Sequence, residues 1–301
     1  MELSLVEVKE KTFNRHEQHW AELTNEGILE ALSNANDNRA RKLKQQIEAC
    51  SSIWSIRYYY EDDKAVVDRA SYCKNHIVCP SCAKRRQWIL TQHINAKIRS
   101  LLTIDADLKV SFITFSPANY KHLTPGLREV SKFRSAIARK TKFKTNELGK
   151  IAGGVTSIDV TNGRNGWNIH LHMMAVHREG FDIERLKHDW GKIAGEGSHL
   201  DLKNVILSEN RFSENDITQE FSIIGRSRYL TKPHKLNADD LVKLGRVSKG
   251  VRFISSFGIC GGMSKEYINR NNLTYLKNKP NRVYTIYLDD GIYRPLTILY
   301  K

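Results

Sequence analysis

The chain has 301 residues, 40% of them hydrophobic, enough apolar material for one large domain or two modest ones. Lys and Arg number 48 against 33 Asp and Glu, a net charge of +15 that marks a polyanionic partner, most often nucleic acid. No apolar run has the length needed to cross a bilayer, and the acidic, alternating start Met1–Glu10 is unlike a signal peptide, so the expectation is a cytoplasmic protein with no membrane partner. In that compartment thiols stay reduced, and clustered cysteines point to metal rather than disulfides.

In chain order, residues 1 to about 48 read as an extended start followed by a polar helix. Residues 50–82 carry four of the five cysteines. Trp88, Ile89, His93, Ile94, Ile98, Leu101 and Leu102 have the spacing of an amphipathic helix from Ala83 to Thr103. Leu108–Phe115 is a strand closed by Ser116-Pro117. A basic helix follows from about Pro125 to Lys142, with Thr124 as its N-cap and proline in the first position. Ile151–Val160 is a second strand. Thr161–Gly166, with Asn-Gly twice, is a turn into a third strand, so the two strands form an antiparallel hairpin. Asp182–Ile193 is helical, Leu200–Leu207 is a short strand, and Glu214–Lys232 is helical up to Pro233. The tail has a short helix near 239–245 and two aromatic, strand-like runs, Arg282–Asp289 and Gly291–Tyr300. This order predicts an α+β fold, a central antiparallel sheet flanked by helices, with an N-terminal cysteine-bearing segment. The expected divisions are 1–104, 105–236 and 237–301.

Three constellations carry chemistry. Cys73-x5-Cys79-Pro80-Ser81-Cys82 puts three thiols within ten residues, with Cys50 upstream. Four tetrahedral sulfur or nitrogen ligands suit structural zinc, so Cys50, Cys73, Cys79 and Cys82 are the expected ligands, with His76 competing for the place of Cys50. Cys260 stands alone and reads as a core residue. The second constellation is His170-Leu171-His172 inside Trp167–Val176. Alternation along a strand puts both imidazoles on one face and Ile169, Leu171, Met173 and Ala175 on the other, expected to be the buried one. Asp159, on the partner strand, can lie beside that histidine face. Two histidines and a carboxylate leave coordination positions open and suit Mg²⁺ or Mn²⁺ holding a phosphate oxygen. The third is Arg226-Ser227-Arg228-Tyr229-Leu230-Thr231-Lys232. On a helix, Tyr229 and Lys232 are neighbours, and a phenol attacks phosphorus when cations stabilise the phenolate.

Taken in order, these residues resemble the rolling-circle replication initiators of small bacterial plasmids, within the His-hydrophobe-His (HUH) endonucleases. Cys79-Pro80-Ser81-Cys82 is similar to the family's Cys-Pro-x-Cys element, and Phe112-Ile113-Thr114-Phe115-Ser116 to its first strand motif. Asp159 stands where the family has an acidic residue. Gly166–His172 resembles its metal-binding motif, and Tyr229-Leu230-Thr231-Lys232 its Tyr-x-x-Lys motif. The resemblance covers roughly residues 48–235. It implies site-specific nicking of plasmid origin DNA, single-stranded at the nick, through a 5′-phosphotyrosyl bond to Tyr229, with host helicase and polymerase as partners. It implies a catalytic ion on His170, His172 and Asp159, with Lys232 assisting. Some relatives carry a Glu where this chain has Gly225. The rival readings are a transposase or relaxase of the same chemistry, a zinc-bearing DNA-binding regulator without catalysis, and an RNA-binding protein.

Overall fold

All strand pairings among the described residues are antiparallel. The computed structural model describes residues 26–35, 37–50, 52–59, 64–205, 222–261, 282–289 and 292–300. The elements run α1 (26–34), α2 (Asn38–Glu48), β1 (Ile53–Tyr59), β2 (Lys64–Ala70), α3 (Pro80–Ile104), β3 (Lys109–Ser116) and α4 (Leu123–Lys140). A 3₁₀ turn (Glu147–Lys150) then leads into β4 (Ile151–Gly163), β5 (Gly166–His177), α5 (Ile183–Ala194) and β6 (His199–Asn204). The order closes with α6 (Ile223–Thr231), α7 (Ala238–Val247), β7 (Ile254–Gly258), β8 (Arg282–Asp289) and β9 (Ile292–Tyr300). The fold is α+β, as read from the sequence. None of the described helices is long and apolar enough to cross a membrane.

The chain divides into two compact units, Met1–Lys84 with Ile268–Lys301, and Arg85–Tyr267. The sequence divisions at 104 and 236 follow motif positions, whereas this division follows packing. Ile94 and Ile98 of α3 belong to the core of the second unit, and β7 pairs with β4. The first unit holds a four-stranded sheet of order β2-β1-β8-β9. The two strand-like runs of the tail are β8 and β9, and β8 pairs with β1, which the sequence reading did not contain.

The second unit holds a five-stranded sheet of order β6-β3-β5-β4-β7, with the histidine strand β5 at its centre. A central strand is covered on both sides, so Leu171 to His177 are all buried, and the expectation of one buried face holds only at the Gly166 end. On the face of Met174 and Val176, the core includes Ile94, Ile98, Ile223 and Leu230 from α3 and α6. On the opposite face, Trp190 of α5 stands edge-on to Phe115 of β3 and Phe133 of α4, with ring centroids 5.1 and 5.6 Å away.

Local chemistry sets the element ends. The β4–β5 turn is tighter than read: Gly163 pairs with Gly166, so Arg164 and Asn165 alone make the turn. Gly166 takes φ +90, and a Cβ there would lie 2.6 Å from the Tyr120 carbonyl, so both backbone and space demand glycine. Helix α4 starts at Leu123 with His122 as N-cap, not at Thr124. Pro125 is tolerated inside the first turn because N–H groups there have no intrahelical acceptor. Of the expected Glu214–Lys232 helix, α6 covers Ile223–Thr231, capped by Ser222 Oγ accepting from Gly225 N; residues 206–221 lie outside the described residues.

Trp190 is 1% exposed, and Trp190→Ala is expected to destabilise the protein by about 3–5 kcal/mol through the cavity left between Phe115 and Phe133. Urea unfolding followed by circular dichroism measures this.

Candidate functional site

In the first unit, the four cysteine sulfurs form a compact cluster. Lys74, at φ +62, turns the chain back after Cys73, and Asn75 O accepts from Cys79 N at 2.8 Å. Pro80 then opens α3, a position where its missing N–H is not needed, and the first helical turn carries Cys82 beside Cys79. Cys50–Cys82, Cys73–Cys82 and Cys79–Cys50 sulfurs are each 3.6 Å apart. A tetrahedron with Zn–S bonds of about 2.3 Å has edges of about 3.8 Å, so the spacing suits one ion held by four sulfurs. Among the described residues these four form the cluster of His, Cys, Asp and Glu whose ligand atoms all lie within 4.8 Å. His76 is exposed, its Nδ1 3.1 Å from the Lys74 carbonyl, and it stands outside the cluster, whose fourth sulfur is that of Cys50.

In the second unit, β4 and β5 set Asp159 directly opposite His170. Asp159 is 7% exposed and meets three groups. Lys232 Nζ is 2.8 Å from Oδ2, His172 Nε2 is 3.6 Å from Oδ2, and His234 Nδ1 is 3.5 Å from Oδ1. Burial alone would raise the Asp159 carboxyl, but His172, His234 and Lys232 together hold it well below the usual carboxylate range. Burial likewise pulls Lys232 down, and the bond to Asp159 outweighs it, so the ammonium is held above its ordinary range. His170 is held below the ordinary imidazole range by burial and by His172, which favours its neutral, ligating form.

Around this carboxylate the aromatic rings stack in a fixed order. Thr114 Oγ1, on β3, is 3.1 Å from His172 Nδ1 and fixes that ring from behind. Phe112 lies parallel to His172 at 5.6 Å and edge-on to Tyr229 at 5.6 Å. The Tyr229 ring is 5.1 Å from His172, and Lys232 Nζ is 4.1 Å from its centroid. Arg226, expected one turn before Tyr229, is buried with its guanidinium 5.0 Å from the Phe112 centroid. Lys232 is not an i, i+3 helical neighbour, as expected from sequence, but the C-cap of α6, at ψ 146. Pro233 disfavours helical geometry in the residue before it, and the extended turn sends Lys232 towards Asp159.

The donor set fits a hard divalent ion in part. Two imidazoles and a carboxylate are present, and His172 Nε2 is buried without a hydrogen-bond partner, an orphan that an ion would satisfy. Lys232 takes one oxygen of Asp159, and the imidazoles of His170 and His172 are 5.8 Å apart between centroids.

A family model described as replication protein matches residues 64–285. The chain belongs to this family of plasmid rolling-circle replication initiators. No curated protein and no solved structure matches the chain. The match spans the Cys73–Cys82 knuckle, the histidine strand and the tyrosine helix. An initiator of this family works on origin DNA, which accounts for the positive charge. Of the residues expected at the site, the fold brings Asp159, His170, His172, Tyr229 and Lys232 together, and it groups Cys50, Cys73, Cys79 and Cys82. Cys260 is buried in the core, as expected. His234 and Thr114 were missed. Lys232-Pro233-His234 held a signal for the first, since a histidine just past a helix-ending proline is carried by the same turn as the lysine.

The initiator is expected to copurify with one zinc ion per chain, and Cys79→Ala should lose it; elemental analysis of the intact protein decides. Because the Asp159 pKa is depressed in the folded state, its stabilising contribution is present above about pH 4 and disappears as pH falls through the folded value. Asp159→Asn should therefore flatten the acid limb of the stability curve and cost about 3 kcal/mol near pH 7, measured by urea unfolding of metal-free protein.

Proposed function

We propose that this initiator nicks one strand of its plasmid origin with Tyr229 as nucleophile and joins the cut strand to itself. The observation that carries the reading is the placement of Tyr229 against His172, with Lys232 Nζ 4.1 Å from the phenol ring and 2.8 Å from the buried Asp159. With 37% of its surface exposed, Tyr229 is open to a strand, while the groups that would stabilise charge lie beneath it.

In the proposed step, Tyr229 Oη forms a bond to the scissile phosphorus and the bond from phosphorus to the 3′ oxygen breaks. The phenol gives up a proton and the departing 3′ oxygen takes one up, so no electrons or net protons are consumed. Lys232 neutralises the developing phenolate, a positioned cation in a partly water-excluded site. Burial keeps His170 neutral, and Thr114 orients His172, so that both imidazoles, with Asp159, would hold Mg²⁺ or Mn²⁺. When bound, that ion would polarise the phosphate and offset its charge. In-line access of the phenol to phosphorus requires an unpaired strand, so extrusion or supercoiling of the origin is part of the reading. The freed 3′-OH is then a primer for host polymerase. The cysteine cluster, loaded with zinc, serves as a structural staple of the first unit.

The test is a labelled single-stranded origin oligonucleotide incubated with Mn²⁺. The wild type should form a covalent adduct that survives denaturation. Tyr229→Phe should abolish it, and Lys232→Ala should slow it by about 10²-fold. An adduct retained by Tyr229→Phe assigns the nucleophile elsewhere. A folded wild type that binds origin DNA but forms no adduct makes the chain a binding regulator.

A further inference from the structure

Within the Arg85–Tyr267 unit, a cavity of about 740 Å³ lies where β4 begins and β7 ends. Ile151 and Ala152 line it, and Asp159 is eight residues further along β4, a span of about 26 Å at ~3.3 Å per residue; Phe257, paired with Gly154, puts the cavity on the sheet face away from Tyr229. Cations dominate its lining, with Glu179 as the sole carboxylate there. Lys150 is held by Glu147 at 2.9 Å, and Arg178 by Asp105 at 2.5 Å. Arg139, Lys142 and Lys144 are exposed and have no acidic partner among the described residues. Three uncompensated cations around one concavity repel each other unless an anion joins them.

The same surface carries aromatic faces. Phe257 lines the cavity, and Phe143, between Lys142 and Lys144, is 59% exposed. That exposure is built into the loop. Asn146 Nδ2 donates to Phe143 O at 3.0 Å, and Gly149 packs against the same carbonyl so closely that a Cβ there would lie 2.0 Å from the oxygen. The backbone is clamped while the ring is turned outwards. Cations flanking an exposed aromatic ring suit unpaired nucleic acid, whose bases stack on the ring while phosphates meet the cations; a duplex would leave the ring without a partner.

We infer that this cavity is a second single-stranded DNA subsite, which holds the strand beyond the nicked phosphate. Lys142, Lys144 and Arg139 take its phosphates, and Phe143 stacks on a base. The inference deepens the proposed nicking function and rests on it: the single strand passes from the tyrosine face round the β7 edge of the sheet. Covering about 26 Å along β4 and about 10 Å more to reach the other face takes about eleven nucleotides at the ~3.4 Å rise of a stacked strand, so the subsite acts on long strands and not on short ones.

The experiment measures binding of the full-length protein to fluorescent origin oligonucleotides by anisotropy. One covers only about three nucleotides on each side of the nick, and one is extended by about fifteen in either direction. The double variant Lys142→Glu/Lys144→Glu should weaken binding of the extended strand at least about tenfold and leave the short one within about twofold. Its log–log salt dependence should fall by about 1.4, two contacts at ~0.7 each. Phe143→Ala should weaken the extended strand about tenfold without changing the salt slope. All three positions are exposed, and circular dichroism verifies that the variants fold. Equal losses on short and extended strands would overturn the subsite, as would a duplex bound as tightly as the single strand and lost in parallel. Adduct formation on the short strand separates the two claims. An adduct without any length effect removes the subsite alone, and a length effect without an adduct removes the nicking reading alone.

Discussion

A carboxylate buried in the middle of a sheet must find positive partners, and the Asp159 carboxylate gathers the groups around the tyrosine. Its two oxygens face Lys232, His172 and His234, which reach it from the turn after α6 and from the neighbouring strand. The free energy of desolvating that charge is offset only while those partners stay in place. The same contacts therefore fix the lysine beside Tyr229 and the imidazole beneath it. Removing the carboxylate would leave a half-buried ammonium and two imidazoles without a shared acceptor.

The turn at Pro233 links chain chemistry to that arrangement. A proline after Lys232 cannot continue α6, and the residue before it is pushed to extended geometry. The lysine side chain then leaves the helix axis and crosses to β4. Helix α6 itself is held by Ser227, whose hydroxyl donates to Ile223 O at 2.7 Å, and by Thr231, 2.8 Å from Thr91 of α3. Tyr229 thus stands on a helix anchored from within, and its own ring is left partly open. A rigid base under an accessible phenol is what the proposed attack on a bound strand requires.

The cysteine cluster solves a different problem in the first unit. Cys50 follows α2 while Cys73, Cys79 and Cys82 lie beyond β1 and β2, and short contacts among sulfurs close that loop without a disulfide. An ion is a stable way to hold four reduced thiols together. The first unit's sheet is completed by β8 and β9 from the chain's far end, so its pairing is long-range.

Much of this was legible in the chain itself. Cys-Pro-Ser-Cys and His-Leu-His are local patterns in which one element sets the spacing, and backbone geometry then dictates which side chains share a face, whereas Lys232 reaches Tyr229 by the turn at Pro233 and not by helical spacing. The hairpin that sets Asp159 opposite His170 could be read because Asn-Gly turns are local as well. Other features depended on packing between distant segments. Both faces of β5 are covered because α3, α4, α5 and α6 reach it from four places in the sequence. Periodicity along one strand carries no information about those neighbours. The place of His234, the outward ring of Phe143 and the grouping of Cys50, rather than His76, with the other three thiols likewise depend on tertiary structure. Each depends on where a side chain ends in space after its segment has turned, and that is set by what the rest of the fold packs against it.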